Sequence, residues 1–459
     1  MTAPTANSRV LATLNEDGSR RWIRPKPSTG KWMIRRRAVG YALIALFLAL
    51  PHLRMRGKPW MLLDLPHREF TFFGVTFLPT DTLLLMLLFV STLIGIFLLT
   101  ALFGRVWCGW GCPQTVWMEF IFRPLERLIE GGTNASRRLD RERQHLAPRR
   151  LLKYAVYAVL AAVLGNTFLA YFVGTDQLFL WMRGAPSEHL TGFTVMAITT
   201  GGVFLDFTWF REQTCLVACP YGRWQSALLD RQSLIVAYDS GRGEPRGHGT
   251  GARTGLGDCI ACNACVNTCP TGIDIRDGLQ MECIHCTQCA DACDEIMVRV
   301  GKPTGLVRYT SQDALAGKAP RTLRVRTILY PIAFTFFFGG FLLALATRSP
   351  AEVTLLGGLG APFAREASGE VVNQVRIKIA NRTTEVRTYS ITYVDEAGAR
   401  LIAPENPVKV AAGHSVTTTV FVLQSPERFD DGERRVHFRV SDGASFTRQY
   451  AWRLLGPED

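Results

Sequence analysis

The chain has 459 residues, of which 47% are hydrophobic and 20% are charged, so it is long enough for two or three domains. A formal net charge of +13 would indicate nucleic-acid binding in a soluble protein. Here the basic residues cluster beside apolar runs, which favours a membrane surface and argues against nucleic acid. All 12 cysteines fall between Cys108 and Cys293, so the last third of the chain can form no disulfide.

Five apolar segments predict a polytopic α-helical membrane protein with five spans. They follow a polar amino-terminal tail, residues 1–37, and cover residues 38–53, 83–104, 151–173, 190–210 and 327–347. The first is short for a span, but no small-residue cleavage site follows it, so we expect it to be retained rather than removed as a signal peptide. The first four spans form a predicted membrane domain, residues 38–230, and the fifth lies in residues 327–349.

The distribution of arginine predicts the orientation of the spans. Nine arginines lie between the second and third spans, whereas Arg183 is the one arginine between the third and fourth. Because cytoplasmic connections are rich in arginine and lysine, the amino terminus and the cysteine-rich segment, residues 231–326, are predicted to be cytoplasmic. Five spans then place residues 350–459 in the periplasm, with the chain in a bacterial inner membrane.

A short motif, C-x3-C-P-x3-W, follows both the second and the fourth span. Its cysteines are Cys108 and Cys112 in the first copy and Cys215 and Cys219 in the second. The repeated order of span, motif and basic segment predicts two halves packed about a pseudo-twofold axis. A spacing of four residues places both thiols of a pair on one helical face, about one turn apart. Four converging thiols would form a soft site for Cu(I) or an iron–sulfur cluster, and buried structural thiols or reversible disulfides are the alternatives.

Residues 231–326 contain two cysteine runs with the spacing C-x2-C-x2-C-x3-C, the ligand pattern of bacterial ferredoxins with two [4Fe–4S] clusters. Three thiolates of each run converge from a tight loop, and the fourth reaches the other cluster. The predicted ligands of the first cluster are Cys259, Cys262, Cys265 and Cys293, and those of the second are Cys283, Cys286, Cys289 and Cys269. Zinc would use two pairs of ligands, and a disulfide framework needs an oxidising compartment, so both are disfavoured.

Two residues in these runs are predicted to tune the clusters. The first run ends in Cys269-Pro270, whereas the second ends in Cys293-Asp294. The acidic residue is expected to lower the potential of the cluster that Cys293 binds and to admit water. His285 lies inside the second loop, where we expect it to donate a hydrogen bond near a cluster sulfur.

The composition changes after about residue 350. Alternating apolar and polar residues predict strands over residues 371–379, 389–394, 415–423, 435–440 and 446–454. Several short strands at roughly even spacing predict a β-sandwich of immunoglobulin type in residues 350–459, without a disulfide.

Together these segments resemble the FixG/RdxA/CcoG family of membrane polyferredoxins, the cytochrome c oxidase accessory proteins. The resemblance runs from about Arg35 to the carboxyl terminus. It is carried by residues 104–109, 112–117, 211–213, 219–221, 242–247 and 271–280. It implies the same immunoglobulin-like carboxyl-terminal domain that the strand pattern predicts.

The resemblance also implies a function: assembly of cbb3-type cytochrome c oxidase, with members similar to cupric reductases that convert Cu(II) to Cu(I). Copper ions would then be the substrate, and subunits or assembly factors of the oxidase would be partners. Two other classes stay open, namely an electron-transfer anchor between quinol and a partner enzyme, and a non-enzymatic assembly scaffold. The sequence has no C-x2-C-H haem motif and no G-x-G-x-x-G motif, so the electron donor is another protein, quinol or a small reductant.

Overall fold

The computed structural model of the protein describes residues 12–15, 17, 19–55, 58–66, 68–78, 81–142, 144, 146–248, 255–319, 324–383, 385–394 and 399–457. The first eleven residues of the predicted tail and the stretch 249–254 before the first cysteine run lie outside these described residues. The chain divides into two compact units, Met1–Phe341 and Leu342–Asp459.

The first unit is mainly helical. Its helices are α1 (Lys31–Ala49), α2 (Thr82–Phe103), α3 (Pro113–Trp117), α4 (Arg123–Glu130), α5 (Thr133–Arg141), α6 (Pro148–Val173), α7 (Thr175–Trp181), α8 (Leu190–Leu205), α9 (Pro220–Leu228), α10 (Ser240–Gly243), α11 (Ala264–Asn267), α12 (Gln288–Arg299), α13 (Gln312–Leu315) and α14 (Val325–Ala346), the last of which continues into the second unit. Its strands are β1 (Arg54–Met55), β2 (Lys58–Pro59), β3 (Met61–Asp64), β4 (Glu69–Phe72), β5 (Val75–Phe77), β6 (Ile235–Tyr238) and β7 (Val307–Thr310). They form three small antiparallel sheets, in the orders β1-β2, β3-β4-β5 and β6-β7.

Four helical segments in the described part of the chain are long and apolar enough to cross a membrane. They are α2, α6, the stretch Pro186–Phe210 that contains α8, and α14. Helix α1 is not among them, since its first half carries Arg35, Arg36 and Arg37. Most residues of these four segments are not buried by the rest of the protein, as expected of helices whose side chains contact lipid. The chain is therefore a membrane protein.

Helix α1 begins against the cysteine-rich part of the unit. The Asp291 carboxylate, on α12, accepts the backbone N–H groups of Trp32 at 3.1 Å and Met33 at 2.7 Å, two of the four that a helix start leaves unpaired. A Cβ on Gly30 would collide with the Asp291 side chain, so the approach requires glycine. The interaction is an N-terminal cap supplied from 258 residues away in the sequence.

Replacing Asp291 with alanine is expected to destabilise the protein. Two buried N–H groups lose their acceptor, and the loss of a capping side chain lowers the free energy of unfolding by about 1–2 kcal/mol. The comparison is the thermal unfolding midpoint of the full chain in detergent, with Glu295→Ala as the control because Glu295 is an exposed residue of the same helix. Equal midpoints for the two variants would show that the cap contributes nothing.

Helix α2 ends where the chain approaches the cysteine-rich segment. Gly104 follows it with φ 61°, and a Cβ there would collide with the carbonyl oxygen of Leu234, the residue before β6. Only glycine tolerates both the left-handed backbone and the close approach. The first C-x3-C motif, which starts four residues later, is thereby held against the segment between β6 and β7.

The second unit is a sandwich of two antiparallel sheets. Its strands are β8 (Ala351–Gly357), β9 (Ala364–Arg365), β10 (Val371–Asn381), β11 (Arg387–Tyr393), β12 (Arg400–Ile402), β13 (Val408–Val410), β14 (Ser415–Gln424), β15 (Glu433–Ser441) and β16 (Thr447–Leu455). One sheet has the order β12-β14-β10-β8, with β9 also paired to β10, and the other has the order β13-β11-β15-β16. Ile377 and Ile379 from the first sheet pack with Ile391 and Phe438 from the second, all at most 1% exposed.

The five predicted strands correspond to β10, β11, β14, β15 and β16. The sequence did not predict β8, β9, β12 and β13. Strands β12 and β13 have three residues each and lie at sheet edges, and β9 has two residues. These three strands are too short for an alternating pattern to stand out.

Candidate functional site

Two small cavities lie in the segment between β6 and β7. The first cavity is lined by the cysteines predicted for the first cluster: Cys259, Cys262, Cys265 and Cys293. The second cavity is lined by those predicted for the second cluster, Cys269, Cys283, Cys286 and Cys289, and is also bordered by Cys265. The structure thus brings each predicted set together, including the fourth cysteine that comes from the other run.

Each run folds into a tight loop through two residues with left-handed backbones. They are Ala261 (φ 53°) and Asn263 (φ 57°) in the first run, and His285 (φ 54°) and Thr287 (φ 62°) in the second. Non-glycine residues rarely adopt this conformation, so its recurrence at matching positions marks a constrained, repeated loop. Helix α12 then carries the last two cysteines of the second run one turn apart, where they line different cavities.

These thiols are buried in an apolar environment. Burial raises the pKa of Cys283 and Cys265 to about 12 and that of Cys286 to about 11. Cys269, Cys289 and Cys293 are half-buried, and Cys262 is exposed. Thiolates crowded in such surroundings stay charged only when a bound cation compensates them, which fits a metal-binding role for both cavities.

His285 lies in the loop that borders the second cavity and is fully buried. Its Nδ1 accepts the backbone N–H of Arg105 at 3.2 Å, which leaves the ring proton on Nε2. Burial, together with Arg105, lowers the pKa of His285 to about 3, so the ring is neutral. Among the described residues Nε2 has no acceptor, so this N–H is available for the predicted bond to a sulfur.

The C-x3-C motifs form π-helical turns. In the first, Trp107–Gly111, the backbone N–H of Cys112 donates to the Trp107 carbonyl at 2.8 Å. The second, Thr214–Ala218, repeats the bond from the Cys219 N–H to the Thr214 carbonyl at 2.8 Å. A proline follows each turn, and since proline has no N–H to continue the ladder, a new helix, α3 or α9, begins there. The predicted α-helical turn is therefore replaced by a wider π-turn that ends at the second cysteine.

The two π-turns place the four thiols close enough to affect one another's pKa, a proximity that the sequence left open. Burial, reinforced by the neighbouring Cys112 and Cys108, raises the pKa of Cys215 to about 12. Burial also raises the pKa of Cys108 and of Cys112, and Cys219 raises both further. Cys108 Sγ donates to Gln225 Oε1 at 3.1 Å, a side chain of α9 that follows the other motif. We call this group of cysteines the four-thiol site.

The first π-turn packs directly against the loop of the second cysteine run. Cys108 forms a buried cluster with Ile284 and Cys286. A Cβ on Gly109 would lie 2.5 Å from the carbonyl oxygen of Ile284 and 3.0 Å from the backbone nitrogen of Cys286, so this approach requires glycine. The four-thiol site is therefore adjacent to the second cavity.

A third small cavity borders both sites. Cys215 of the four-thiol site lines it, and it shares Pro270, Thr271 and Ile284 with the second cavity. Buried ion-paired residues complete its wall, among them Glu212. Pro270, Thr271 and Ile284 thus separate the cavity at Cys215 from the second cavity by a single layer of residues.

A buried ion network holds the segments around these thiols. Glu126 is at its centre and pairs with Arg24, Lys153 and Arg211. The Arg211 guanidinium donates to both carboxylate oxygens, at 3.0 and 3.1 Å. In the sequence, Arg211 lies four residues before Cys215, the first cysteine of the second motif. Burial alone would raise the pKa of Glu126, but Arg211, Arg24 and Lys153 hold it well below its usual range. The network ties the tail, α4, α6 and the second motif into one body.

Sequence reasoning missed the role of the amino-terminal segment, which it treated as a solvated tail. In the described part, the Lys26 backbone N–H donates to the Asn267 carbonyl at 2.9 Å, and the Lys26 carbonyl accepts the Thr268 hydroxyl at 2.7 Å. Ile23 is buried against Gly272. The apolar Ile23 within a polar segment is the signal that could have indicated this packing.

Three family models match the chain. Residues 210–312 match a 4Fe-4S dicluster domain, residues 84–130 match a 4Fe-4S binding domain, and residues 341–457 match the IG-like fold at the C-terminus of FixG. The dicluster match contains both cysteine runs, and the second match contains Cys108 and Cys112. The predictions of iron–sulfur domains and of an immunoglobulin-like carboxyl-terminal domain are confirmed.

Relatives match over most of their length. Protein RdxA of Cereibacter sphaeroides is 36% identical over 389 residues, which is 81% of each chain. Protein RdxB of the same organism is 34% identical over 440 residues, 92% of each chain. The nitrogen fixation protein FixG of Rhizobium meliloti is 34% identical over 434 residues, 85% of this chain and 82% of FixG. The chain thus belongs to the FixG/RdxA family, whose 4Fe-4S domains make it a membrane-bound iron–sulfur electron-transfer protein.

Proposed function

We propose that this protein reduces Cu(II) to Cu(I) at the four-thiol site, for assembly of the copper centre of a cbb3-type cytochrome c oxidase. The observation that carries the proposal is that the buried Cys108 packs in one cluster with Cys286 of the second cavity, with the half-buried Cys112, Cys215 and Cys219 nearby. Thiolates are soft ligands that prefer Cu(I). Binding there stabilises the product over Cu(II), so the site itself makes the one-electron reduction more favourable.

Two [4Fe–4S] clusters are the proposed electron carriers. We assign Cys259, Cys262, Cys265 and Cys293 to the first cluster, and Cys283, Cys286, Cys289 and Cys269 to the second. The fit is supported by two cavities with four thiols each and by the unpaired buried N–H of His285. Bound there, such clusters supply single electrons at low potential. The electrons come from another protein, quinol or a small reductant.

We propose five spans, with α1 as the first. Its start is capped by Asp291 in the cysteine-rich segment, whereas the Phe47 carbonyl near its end accepts the Tyr171 hydroxyl at 2.7 Å, close to the end of α6. The end of helix α1 therefore lies beside the end of α6, and its 19 residues cover about 28 Å, close to a bilayer core.

This topology gives five domains in the chain. They are a cytoplasmic amino-terminal segment, residues 1–37; a membrane domain, 38–230; a cytoplasmic ferredoxin domain, 231–326; a fifth span, 327–349; and a periplasmic immunoglobulin-like domain, 350–459. The excess of arginine between the second and third spans supports the orientation. The periplasmic domain is then available to subunits or assembly factors of the oxidase.

A second candidate is an electron-transfer anchor that relays electrons between quinol and a partner enzyme. It is favoured by the match of residues 84–130 to a 4Fe-4S binding domain, because that segment holds half of the four-thiol site. The site would then bind a third cluster rather than copper. Iron analysis separates the two, since two [4Fe–4S] clusters give about eight iron atoms per chain and three give about twelve.

The copper proposal is tested with the full chain, purified anaerobically and chemically reduced. Cu(II) and a Cu(I)-specific chelator are added, and rapid formation of the Cu(I) chelate is expected. Cys259→Ala, which removes a ligand of the first cluster, is expected to lose this activity, and the same wild-type protein without chemical reduction controls for non-specific reduction by thiols. Cluster oxidation by quinone analogues, with no chelate formed, would favour the anchor. Normal oxidase assembly in cells carrying Cys259→Ala would favour a scaffold.

Gly109→Ala is expected to slow copper reduction while both clusters stay loaded. The new methyl group would push the first π-turn away from Ile284 and Cys286, and a displacement of 1 Å in a reacting arrangement can lower the rate by up to about 100-fold. The measurement is the rate of Cu(I)-chelate formation together with the iron content. Gly202→Ala is the matched control, because a Cβ there meets nothing within 4 Å. Equal rates for both variants would contradict the predicted coupling.

A further inference from the structure

Arg36 is a fully buried arginine with two unused nitrogens. Its Nε donates to the Gly109 carbonyl at 2.8 Å, and its guanidinium carbon lies 5.4 Å from the centre of the Phe120 ring. Nη1 and Nη2 are buried and have no acceptor among the described residues. Burying a charged group without partners is costly, so a fixed acceptor is expected where these two nitrogens lie.

The nearest carboxylate does not fill this role. Burial raises the pKa of Glu119, whereas Arg123 and, less strongly, Arg36 lower it. Glu119 therefore lies close to Arg36. Both of its oxygens are already used, one by Arg123 and the other by the Gln288 side chain at 2.8 Å. No ion pair joins Glu119 to Arg36 within the described residues.

Arg36 also lies near the second cavity. Burial raises the pKa of Cys286, and Arg36 is the group that opposes this rise most. The hydroxyl of Tyr309 donates to the His285 carbonyl at 2.8 Å. Burial raises the pKa of Tyr309, Cys286 raises it further, and Arg36 lowers it. The guanidinium is bonded to the carbonyl of Gly109, and Gly109 packs against Cys286, which lines the second cavity.

The first cavity has a different electrostatic environment. Its arginine, Arg276, is already neutralised, because it donates to both oxygens of Asp274 and to the Asn263 side chain at 2.7 Å. Asp294 adds a negative charge beside Cys293. The second cavity therefore has a buried cation without an acceptor among the described residues near one of its cysteines, Cys286, whereas the first has a compensated cation and an additional carboxylate.

We propose that Arg36 donates its free N–H groups to sulfur atoms of the second cluster, and that this makes the second cluster the more easily reduced of the two. Reduction adds negative charge to a cluster, and N–H donors and positive charge on its sulfurs stabilise that state. Arg36 acts as a positioning and tuning residue. It keeps the electron on the cluster beside the four-thiol site, while the first cluster, with exposed Cys262, faces the electron donor.

The inference rests on the two proposed clusters but not on copper as the substrate. The test is therefore a redox titration of the purified full chain followed by electron paramagnetic resonance, which reads the midpoint potential of each cluster. Arg36→Met is expected to lower the midpoint of one cluster and leave the other unchanged. Arg36→Lys keeps the charge but loses the planar fork, so a smaller shift in the same direction is expected.

Arg37→Met is the matched control, because Arg37 is the next residue of the same helix and is exposed. It is expected to shift neither cluster. The affected cluster is identified in a Cys262→Ala background, where only the cluster held by the second set of cysteines remains; the shift produced by Arg36→Met must persist there. Unchanged midpoints with both clusters present, or a shift that disappears in this background, would overturn the proposal.

A second measurement avoids the risk that Arg36→Met does not fold. In wild-type protein labelled with 15N-arginine, pulsed electron paramagnetic resonance of the reduced clusters is expected to show coupling to an arginine nitrogen, and Arg36→Lys is expected to lose it. A spectrum without such coupling would refute the contact. A failed copper assay would leave both results intact, whereas preparations without iron and sulfide would remove the clusters on which the proposal rests.

Discussion

Replacing Cys215 and Cys219 together with serine is expected to reduce copper reduction to the background rate while both iron–sulfur clusters remain in place. The double variant removes half of the soft ligands of the four-thiol site, and serine hydroxyls bind Cu(I) far more weakly than thiolates do. Neither residue lines the first or second cavity, so the eight proposed cluster ligands are untouched. The measurement is Cu(I)-chelate formation per chain, with iron, sulfide and the cluster spectra determined on the same sample.

Val217→Ala provides the control, because Val217 lies between the two cysteines in the same π-turn and its side chain is exposed. It is expected to keep wild-type activity, which separates loss of the thiols from disturbance of the turn. Undiminished copper reduction by the double serine variant would remove the four-thiol site from the mechanism. A loss of iron that accompanies the loss of activity would instead assign these cysteines to a cluster.

The second large effect is expected from Glu126→Ala. This change leaves Arg24, Lys153 and Arg211 buried without their shared carboxylate, and breaking a buried pair by removing one partner typically costs about 3–5 kcal/mol. A loss of that size is a large fraction of the stability of most proteins, so we expect strongly reduced accumulation in the membrane and a much lower unfolding midpoint.

Glu142→Ala is the control for this prediction, since Glu142 forms an exposed pair with Arg138 at 3.9 Å, and such pairs contribute about 0–1 kcal/mol. The pH dependence gives an independent check. Because the pKa of Glu126 is held well below the ordinary value of 4.5, its contribution is fully present above that value and is lost as the pH falls through the depressed pKa. The stability difference between wild type and Glu126→Ala should therefore be constant near neutral pH and shrink in acid. A difference that grows on acidification would contradict the assigned role.

Local spacing was sufficient to predict which cysteines belong together. Two-residue gaps confine three thiols to one loop, so the two sets and the exchange of Cys269 and Cys293 follow from chain geometry alone. In the structure each predicted set lines one cavity, and Cys265 borders both; the assignment of the ligands to clusters stays a prediction. The alternation of β10, with Val375, Ile377 and Ile379 buried, similarly encodes one face of a sheet in a period of two residues.

Contacts between distant segments were not predictable in this way. Nothing in the sequence near Arg36 indicates that its partners are Gly109 and the surroundings of Cys286, and the cap from Asp291 to Met33 joins residues from opposite ends of the unit. The π-turns were also missed. Four-residue spacing is compatible with an α-helix, and the proline after each second cysteine does not by itself specify a π-turn. Local patterns thus predicted the ligand sets, while tertiary packing determines their surroundings.

If the two proposed clusters are bound, the cap of α1 links the loading of iron to the position of this helix. Asp291 lies on α12 between Cys289 and Cys293, which belong to different proposed clusters. A chain that lacks iron and loses the order of α12 would also lose the acceptor for the start of α1, which is synthesised long before α12 exists. By thermodynamic linkage, the supply of metal to the nascent protein then affects how stably α1 is held in place. Protease cleavage near Gly30 would increase when iron is scarce.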